Sequence, residues 1–297
     1  MYKLNFNEPI HVHFIGIGGI SMSGLAEILL EKGFTISGSD SKESDLTDIL
    51  TSKGATIFYG QKAENIIPGI QLVVYTAAIH EDNPEFAEAK AQQLPMLSRA
   101  QLLGQIMDNY EKSIAVAGTH GKTSTTGMAY HLFKDYDKTN VLIGDGTGYA
   151  TKGAKYFIAE CCEYKDHFLW YHPDYSYINN IEMDHVDYFK SMEQYEQSFE
   201  KYANQAKKAI VIWGDDPHLP HLNYTKRVVK FGVKDGNDVQ AKNVINNEKG
   251  LSFDVYIYGD LFGHFTLPFY GMHTLYNTLG VITLGYLEGM DFDYMQS

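Results

Sequence analysis

Cysteine, basic side chains and long apolar runs are all scarce in this 297-residue sequence. The two cysteines, Cys161 and Cys162, are adjacent, and adjacent cysteines seldom form an unstrained disulfide, which argues against a disulfide-stapled scaffold. The formal net charge of -13 argues against nucleic acid as a partner, because proteins that bind it concentrate Lys and Arg. No stretch approaches the roughly 18 apolar residues of a membrane span, and the N-terminus lacks an apolar signal-peptide core. We therefore expect a cytoplasmic protein that does not insert into a membrane.

The length allows two domains, each with its own hydrophobic core. From residue 10 onward, short apolar runs alternate with helical patterns, which predicts repeated βα units, a parallel sheet and an α/β fold class. The polar run 108–112 predicts a boundary, because the apolar strand SIAVAG restarts the βα pattern directly after it. We predict one domain over residues 1–110 and a second sheet domain over residues 111–297. The predicted strands after the first are 35–38, 56–59, 72–75, 113–118, 141–143, 156–159, 175–178, 209–213, 228–231, 252–256 and 264–267, and a helix is predicted over 274–287.

The glycine-rich segment FIGIGGISMSG lies between the first predicted strand and a helix and includes Gly16, Gly18 and Gly19. Backbone amides and the helix N-terminus at such a turn can face a phosphate, which predicts a pyrophosphate site. Asp40 follows the second strand, where a dinucleotide-binding fold has a ribose-binding acid. Ser21 stands at the third glycine position of GxGxxG, so NAD binding and a tight turn without a ligand both remain alternatives.

The segment AVAGTHGKTSTTGM gives the strongest signal in the chain, because an apolar strand runs into a GK pair followed by two hydroxyl residues and a helix. In a phosphate loop the amides surround the phosphates, the lysine contacts the β- and γ-oxygens, and the next hydroxyl can ligate Mg²⁺. ATP is the expected ligand. The standard GxxxxGK[ST] pattern would have glycine at position 116, where this chain has Val116, so the loop is a variant. The predicted nucleotide-binding residues are Gly118, Thr119, His120, Gly121, Lys122, Thr123 and Ser124.

Acidic and imidazole side chains follow two further strands: Glu160 and Glu163 in AECCEY, and Asp184, His185 and Asp187 in NIEMDHVDYF. Ligands of open α/β sheets bind beyond the carboxyl ends of the strands, so we expect these groups to converge on the same nucleotide. The Glu163 and His185 pair suits a Mg²⁺ or Mn²⁺ site completed by phosphate oxygens and water, although imidazole is an unusual Mg²⁺ ligand. A helix cap with solvated acids is the alternative for DHVD, and a surface charge for Glu163.

Eight segments together resemble the Mur ligases of bacterial cell-wall synthesis, and the resemblance spans nearly the whole chain: FIGIGGISMSG, GSD, TAAIHEDNPE, AGTHGKTSTTG, AECCEY, NIEMDHVDYF, WGDDP and YGMHTLYNTLG. The resemblance implies an ATP-dependent ligase that joins L-alanine to UDP-N-acetylmuramate through an acyl phosphate. It also implies a Rossmann-like first domain that binds the UDP-sugar rather than NAD, followed by a central P-loop ATPase-like domain.

The same resemblance implies roles for individual residues. Lys122 would contact the ATP phosphates, Thr123 and Glu163 would serve one Mg²⁺, and His185 would serve the other; Lys122, Glu163 and His185 are thus the expected catalytic groups. His273 and Asn277 match the family's GxHNxxN nucleotide motif, although Thr274 replaces one asparagine. The implied UDP-sugar residues are Gly16, Gly18, Gly19, Ile20, Ser21, Met22, Ser23, Asp40, Thr76 and His120. Phe199 aligns with a carbamylated lysine of related ligases, a departure that fits the alanine-adding member.

Mur ligases have a third, C-terminal domain, and this chain is expected to end before it. We therefore expect these residues to bind UDP-N-acetylmuramate, and ATP weakly, without forming an amide bond, as a monomer or weak homodimer. Acyl-phosphate chemistry needs no protein nucleophile, so no catalytic role is expected for Cys161 or Cys162. The alternatives are a ligase that recycles an intact tripeptide, an NAD-dependent dehydrogenase, and a non-catalytic nucleotide-binding module.

Overall fold

The computed structural model describes residues 2–144 and 148–296. The chain forms two compact units, one comprising Met1–Glu111 with Asn140–Lys155, the other Lys112–Thr139 with Tyr156–Ser297. Residues 140–144 and 148–155 follow the predicted boundary in sequence but cluster with the first unit. Within the described ranges, no helix has the length and apolar character needed to cross a membrane.

The first unit contains a five-stranded parallel sheet in the order β3-β2-β1-β4-β5, which is the strand order of a Rossmann fold. Its elements are β1 (His11–Ile15), α1 (Ile20–Glu31), β2 (Thr35–Asp40), α2 (Asp45–Ser52), β3 (Thr56–Tyr59), β4 (Leu72–Tyr75), α3 (Pro84–Ala91), β5 (Met96–Ser98) and α4 (Arg99–Asp108). The central strands are buried along most of their length because both faces of the sheet are covered; Val12, Phe14 and Val74 are fully buried, and so is the polar His13. All five strands point the same way, so their carboxyl ends form one edge.

Polar residues at the helix starts explain where the helices of this unit begin. Ser44 and Ser98 each form a capping box, with Thr47 and Gln101 respectively, and these caps satisfy backbone amides that have no intrahelical acceptor. At α3, the Asn83 side chain accepts the first free amides, and proline follows at the first helical position.

The second unit is built on a larger sheet. From residue 112 to the C-terminus the elements, in chain order, are β6 (Lys112–Ala117), α5 (Lys122–Phe133), β7 (Thr139–Leu142), β8 (Gly148–Tyr149), β9 (Tyr156–Glu160), β10 (Tyr175–Ile178), α6 (Met192–Ala203), β11 (Ala209–Trp213), β12 (Val228–Gly232), β13 (Val239–Asn247), β14 (Gly250–Ile257), β15 (Asp260–Leu267), α7 (Met272–Leu287) and α8 (Phe292–Gln296). The β7–β8 hairpin is antiparallel. The strands of the second unit follow the order β15-β14-β13-β12-β11-β10-β6-β9. Strands β9, β6, β10, β11, β12 and β13 pair in parallel, whereas β14 and β15 complete an antiparallel meander.

These sheets confirm the predicted α/β class, with a Rossmann-like unit followed by a central α/β unit. Strand β13 was not predicted, because its second half is polar and exposed and lacks the alternation of a half-buried strand. Its pairing with β14 forms nonetheless, interrupted by a register shift between Lys242 and Ile245. Helix α7 begins at Met272, two residues before the predicted start.

Candidate nucleotide and metal site

The predicted phosphate loop connects β6 to α5 and requires glycine at two positions. Gly118 has a φ of +134° and Gly121 a φ of +81°, both in the region that side chains disfavour. Space is also restricted, since a Cβ on Gly118 would lie 2.9 Å from Asn179 Cβ and one on Gly121 would lie 2.9 Å from Asn179 Nδ2. The backbone of the loop is therefore held against the end of β10.

Two asparagines that follow β10 hold this loop in place. Asn180 accepts the His120 amide through Oδ1 at 2.9 Å and the Thr119 amide through its carbonyl at 3.1 Å. The Nδ2 groups of Asn179 and Asn180 both donate to the His120 carbonyl at 3.0 Å. Thr125 Oγ1 donates to Asn179 Oδ1 at 3.1 Å. The sequence analysis missed both asparagines, although their place directly after a parallel strand was the available signal.

Lys122 is the first residue of α5, and its ammonium group faces a buried carboxylate. Lys122 Nζ lies 3.4 Å from Glu163 Oε2 and donates to the Gly118 and Thr119 carbonyls at 2.5 and 3.1 Å. Glu163 is fully buried. A buried carboxylate needs a charged partner and hydrogen bonds, and Lys122 supplies the charge.

Tyr195 on α6 connects Glu163 to the loop. Its hydroxyl donates to Glu163 Oε1 at 3.1 Å and lies 3.1 Å from Thr119 Oγ1. Burial raises the pKa of the Tyr195 phenol, and the Glu163 carboxylate raises it further, so the hydroxyl stays protonated and remains a donor. Sequence patterns gave no signal for this residue, because it lies on the buried face of an amphipathic helix.

The predicted metal pair, Glu163 and His185, meets at the carboxylate oxygen that also accepts the Tyr195 hydroxyl. His185 Nε2 lies 3.5 Å from Glu163 Oε1. His185 has a φ of +51°, and its ring lies 4.9 Å from that of Tyr164. Thr123 Oγ1 instead donates to Glu160 Oε2, at 3.0 Å. A carboxylate and a threonine hydroxyl are hard oxygen donors, so together with water and phosphate oxygens they fit the octahedral preference of Mg²⁺.

A cavity of about 630 Å³ opens beside the loop, within the usual size range of small-molecule sites. His273 and Asn277 line it, as expected for residues four apart on one helical face, and His120 lies on its wall. The Trp213 and Tyr276 rings, 4.7 Å apart between centroids, give it an apolar side that the sequence analysis did not identify. Thr274 lines a different cavity, of about 700 Å³, on the other side of α7.

The glycine-rich turn of the first unit uses most of its own amides internally. The Ser39 carbonyl accepts the amides of Gly16 at 2.8 Å and Ile17 at 2.9 Å. Asp40 Oδ2 accepts the Gly18 amide at 2.8 Å, and the Gly16 carbonyl accepts the Gly19 amide at 3.2 Å. A phosphate at this turn would therefore meet the first amides of α1, which have no acceptor within the helix.

The other residues implied for the UDP-sugar differ in exposure. Ile20 is half exposed and Ser21 partly exposed, whereas Met22 and Ser23 are buried in α1. Thr76 directly follows β4, and its hydroxyl accepts the Ala78 amide at 3.3 Å. All of these lie at the carboxyl edge of the first sheet. His120 belongs to the second unit, where its Nε2 lies 3.2 Å from Glu182 Oε2.

Two family models match this chain. The model described as "Mur ligase family, catalytic domain" matches residues 11–111, and that described as "Mur ligase middle domain" matches residues 116–285. The chain belongs to the Mur ligase family. This establishes the resemblance that the eight sequence segments indicated.

Three individual relatives resemble this Mur ligase chain over nearly its whole length. It is 47% identical to UDP-N-acetylmuramate--L-alanine ligase of Agathobacter rectalis over 98% of its own length, and it spans 66% of the length of that relative. The solved UDP-N-acetylmuramate-alanine ligase of Thermotoga maritima is 28% identical with a TM-score of 0.81, covering 97% of this chain and 67% of that one. A ligase from Neisseria meningitides for UDP-N-acetylmuramate and L-alanyl-gamma-D-glutamyl-meso-diaminopimelate is 27% identical with a TM-score of 0.84, covering 97% of both chains.

Proposed function

We propose that this Mur ligase serves the ATP-dependent joining of L-alanine to UDP-N-acetylmuramate, with release of ADP and phosphate. The observation that carries the proposal is the Lys122 ammonium at the start of α5, 3.4 Å from buried Glu163, which His185 also approaches. The relative at 47% identity supports this pair of substrates, and the tripeptide-joining alternative has weaker support, at 27% identity.

The second unit would bind ATP through the loop and the adjoining cavity. The N-terminus of α5 directs free amides and the positive end of the helix dipole toward phosphate oxygens. Lys122 would exchange its contacts with the Gly118 and Thr119 carbonyls for the phosphates. The cavity lined by Trp213, Tyr276 and His273 has room for a nucleobase.

The reaction brings a carboxylate to the γ-phosphate, and the two anions repel each other. Two unit charges about 4 Å apart repel by roughly 4 kcal/mol at an effective dielectric of 20. Lys122 offsets part of this repulsion. Thr123, Glu163 and His185 would hold Mg²⁺ or Mn²⁺, which supplies further positive charge when bound.

The carboxylate oxygen attacks the γ-phosphorus, the bond to ADP breaks, and an acyl phosphate forms. The neutral amine of L-alanine then attacks the acyl carbon, phosphate leaves, and the amine gives up a proton. Positioning and charge stabilisation carry both steps, so no protein nucleophile is needed.

The first unit would bind the UDP moiety at the carboxyl edge of its sheet. The amides of Gly16 to Gly19 in the preceding turn already have acceptors within the protein. The first amides of α1, at Ile20, Ser21 and Met22, therefore remain available to the pyrophosphate. Asp40 is already engaged by the Gly18 amide, which weighs against a ribose contact of the kind seen in NAD-binding folds.

Calorimetric titration of the 297-residue chain tests these assignments. UDP-N-acetylmuramate and a non-hydrolysable Mg²⁺–ATP analogue are each expected to bind at a single site per chain. Lys122→Ala should abolish nucleotide binding and leave the UDP-sugar affinity unchanged. Lys134→Ala, the same charge change in an exposed residue just after α5, serves as the control. Equal loss of both ligands in Lys122→Ala would refute the assignment of separate sites.

Three further measurements separate the alternatives. In an enzyme that also carries the family's C-terminal domain, phosphate release stimulated by the tripeptide but not by L-alanine would favour the tripeptide-joining ligase over the alanine assignment. Binding of NADH in competition with the UDP-sugar would favour a dehydrogenase. ATP binding without any affinity for UDP-N-acetylmuramate would leave only a nucleotide-binding module.

A further inference from the structure

Three different potential metal ligands meet beside the phosphate loop. One donor atom each from Cys162, Glu163 and His185 lies within 4.8 Å of the other two. We propose that these side chains form a binding site for a soft divalent cation, Zn²⁺ or Cd²⁺, with the Cys162 thiolate as a direct ligand. The sequence analysis gave Cys162 no such role.

The distances fit a zinc site that closes with a small movement. Zinc bonds of about 2.0–2.3 Å in a tetrahedron place neighbouring ligand atoms roughly 3.3–3.8 Å apart. His185 Nε2 and Glu163 Oε1, 3.5 Å apart, already meet that requirement. The thiol lies within 4.8 Å of both, so closing the site requires the half-buried Cys162 side chain to move toward them.

Two of the three ligands are held firmly. Glu163 is fixed by Lys122 and by the Tyr195 hydroxyl, and the backbone of His185 is held in the left-handed region. Cys162 directly precedes Glu163, so its Cα position is fixed with it. Three protein ligands also leave a fourth zinc position open for water or a phosphate oxygen.

The chemistry of the thiolate determines which cation is held. Cys and His select Zn²⁺ and similar ions, whereas Mg²⁺ prefers oxygen ligands and gains nothing from sulfur. When the cation binds, the thiol proton passes to the solvent. The site should therefore bind Zn²⁺ or Cd²⁺ far more tightly than Mg²⁺ in the absence of nucleotide.

One consequence rests on the proposed function. Glu163 and His185 are the residues that we propose for Mg²⁺ with ATP, so a soft cation would occupy the same ligands. Zn²⁺ would then compete with the Mg²⁺–nucleotide complex. Cys162 would therefore make nucleotide binding by the ligase sensitive to soft metals, and Cys162→Ser should remove that sensitivity.

Cobalt spectroscopy of the 297-residue chain tests the site without any activity measurement. Co²⁺, added alone under reducing conditions, should give a thiolate-to-cobalt charge-transfer band. Cys162→Ser should remove the band and weaken Co²⁺ binding by at least about tenfold. Removing a residue that only hydrogen-bonds to a metal ligand already costs about that much affinity, and a direct ligand should cost no less. Mn²⁺ binding, followed by electron paramagnetic resonance, should not change in Cys162→Ser.

The second cysteine provides the matched control, because the chain has only two. Cys161 is fully buried and its thiol contacts the Ala159 carbonyl, so Cys161→Ser should keep the band. His185→Ala should keep sulfur ligation but weaken Co²⁺ binding. No band in the wild-type chain, a band that survives Cys162→Ser, or Co²⁺ affinity unaffected by His185→Ala would each overturn the proposal. A normal cobalt spectrum with no ATP binding would instead refute the proposed function alone.

Discussion

Replacing Glu288 by glutamine should destabilise the second unit. The Glu288 side chain is only 2% exposed, lies just after α7, and forms an ion pair with Lys112. The hydroxyls of Tyr156 and Tyr175 donate to its two oxygens at 2.6 and 2.5 Å, and Lys208 lies 3.9 Å away. One carboxylate thus connects the end of α7 to the first residues of three strands.

The magnitude follows from what the substitution removes. Glutamine keeps the shape but loses the charge, and its single acceptor oxygen cannot serve both tyrosines and Lys112. Breaking a buried pair costs about 3–5 kcal/mol, and a hydrogen bond to a charged group contributes about 1.5–3 kcal/mol. Lys112 is 24% exposed and regains some hydration, so we expect a loss of about 2–4 kcal/mol. For a domain of this size, that lowers the Tm by roughly 4–16 °C.

The loss should depend on pH with a definite sign. Burial raises the pKa of Glu288, but hydrogen bonds from Lys112, Tyr156 and Tyr175 lower it more, and the net pKa lies below its ordinary value. A depressed folded-state pKa contributes stability that is complete above the unfolded pKa, about 4.3, and is lost as the pH falls through the folded value. The stability gap between wild type and Glu288→Gln should therefore be constant near neutrality and shrink in acid.

Urea unfolding followed by circular dichroism, at neutral pH and at a series of acidic values, measures this gap. Glu248→Gln, an exposed residue in the β13–β14 turn, is the matched control and should behave as the wild type at every pH. The reasoning fails if Glu288→Gln unfolds at the wild-type urea concentration near neutrality. A deficit that stays the same size in strong acid would show that the charge of the carboxylate is not what stabilises the cluster.

Three further substitutions test other features. Gly121→Ala places a Cβ 2.9 Å from Asn179 Nδ2 at a φ of +81° and should cost at least about 1 kcal/mol and weaken ATP-analogue binding, measured by melting and calorimetry; unchanged values would contradict the loop geometry. Tyr195→Phe removes the donor to buried Glu163 and should lower unfolding free energy by about 1–3 kcal/mol in urea titrations. Glu85 is a fully buried carboxylate 3.5 Å from His13, so Glu85→Gln should lower the free energy of unfolding by about 1–3 kcal/mol. Hydrogen-exchange protection should fall in the first unit only, and an equal loss of protection in both units would refute this.

Structural features that depend only on consecutive residues could be predicted from the sequence. The loop from Gly118 to Ser124 is one such pattern, since strand, glycines, lysine and helix follow one another. The pairing of Glu163 with His185 needed one further rule, that parallel strands end at a common edge, and the structure places these side chains 3.5 Å apart. Their roles in catalysis and metal binding stay predictions.

Features that depend on contacts across the fold could not be predicted. The Ser39 carbonyl accepts the amides of Gly16 and Ile17 only because β2 lies beside β1, and no local pattern shows which amides a turn will use. Asn179 is similar, since its importance comes from packing against Gly118 and Gly121 in a distant segment. The approach of Cys162 to His185 is likewise non-local, and the sequence analysis expected no catalytic role for this cysteine.

The same three strands carry the stabilising cluster at one end and the candidate site at the other. Strands β6, β9 and β10 begin with Lys112, Tyr156 and Tyr175, the partners of Glu288. They end directly before the loop, at Glu160, and directly before Asn179. The left-handed backbone of His185 and the buried Glu163 carboxylate both cost free energy at the carboxyl end. The charge cluster at the amino end offsets that cost without touching the ligand-binding groups. The two variants should therefore differ: Glu288→Gln should lower stability with nucleotide affinity intact well below its melting temperature, whereas Lys122→Ala, which leaves Glu163 buried without its charged partner, should lower both.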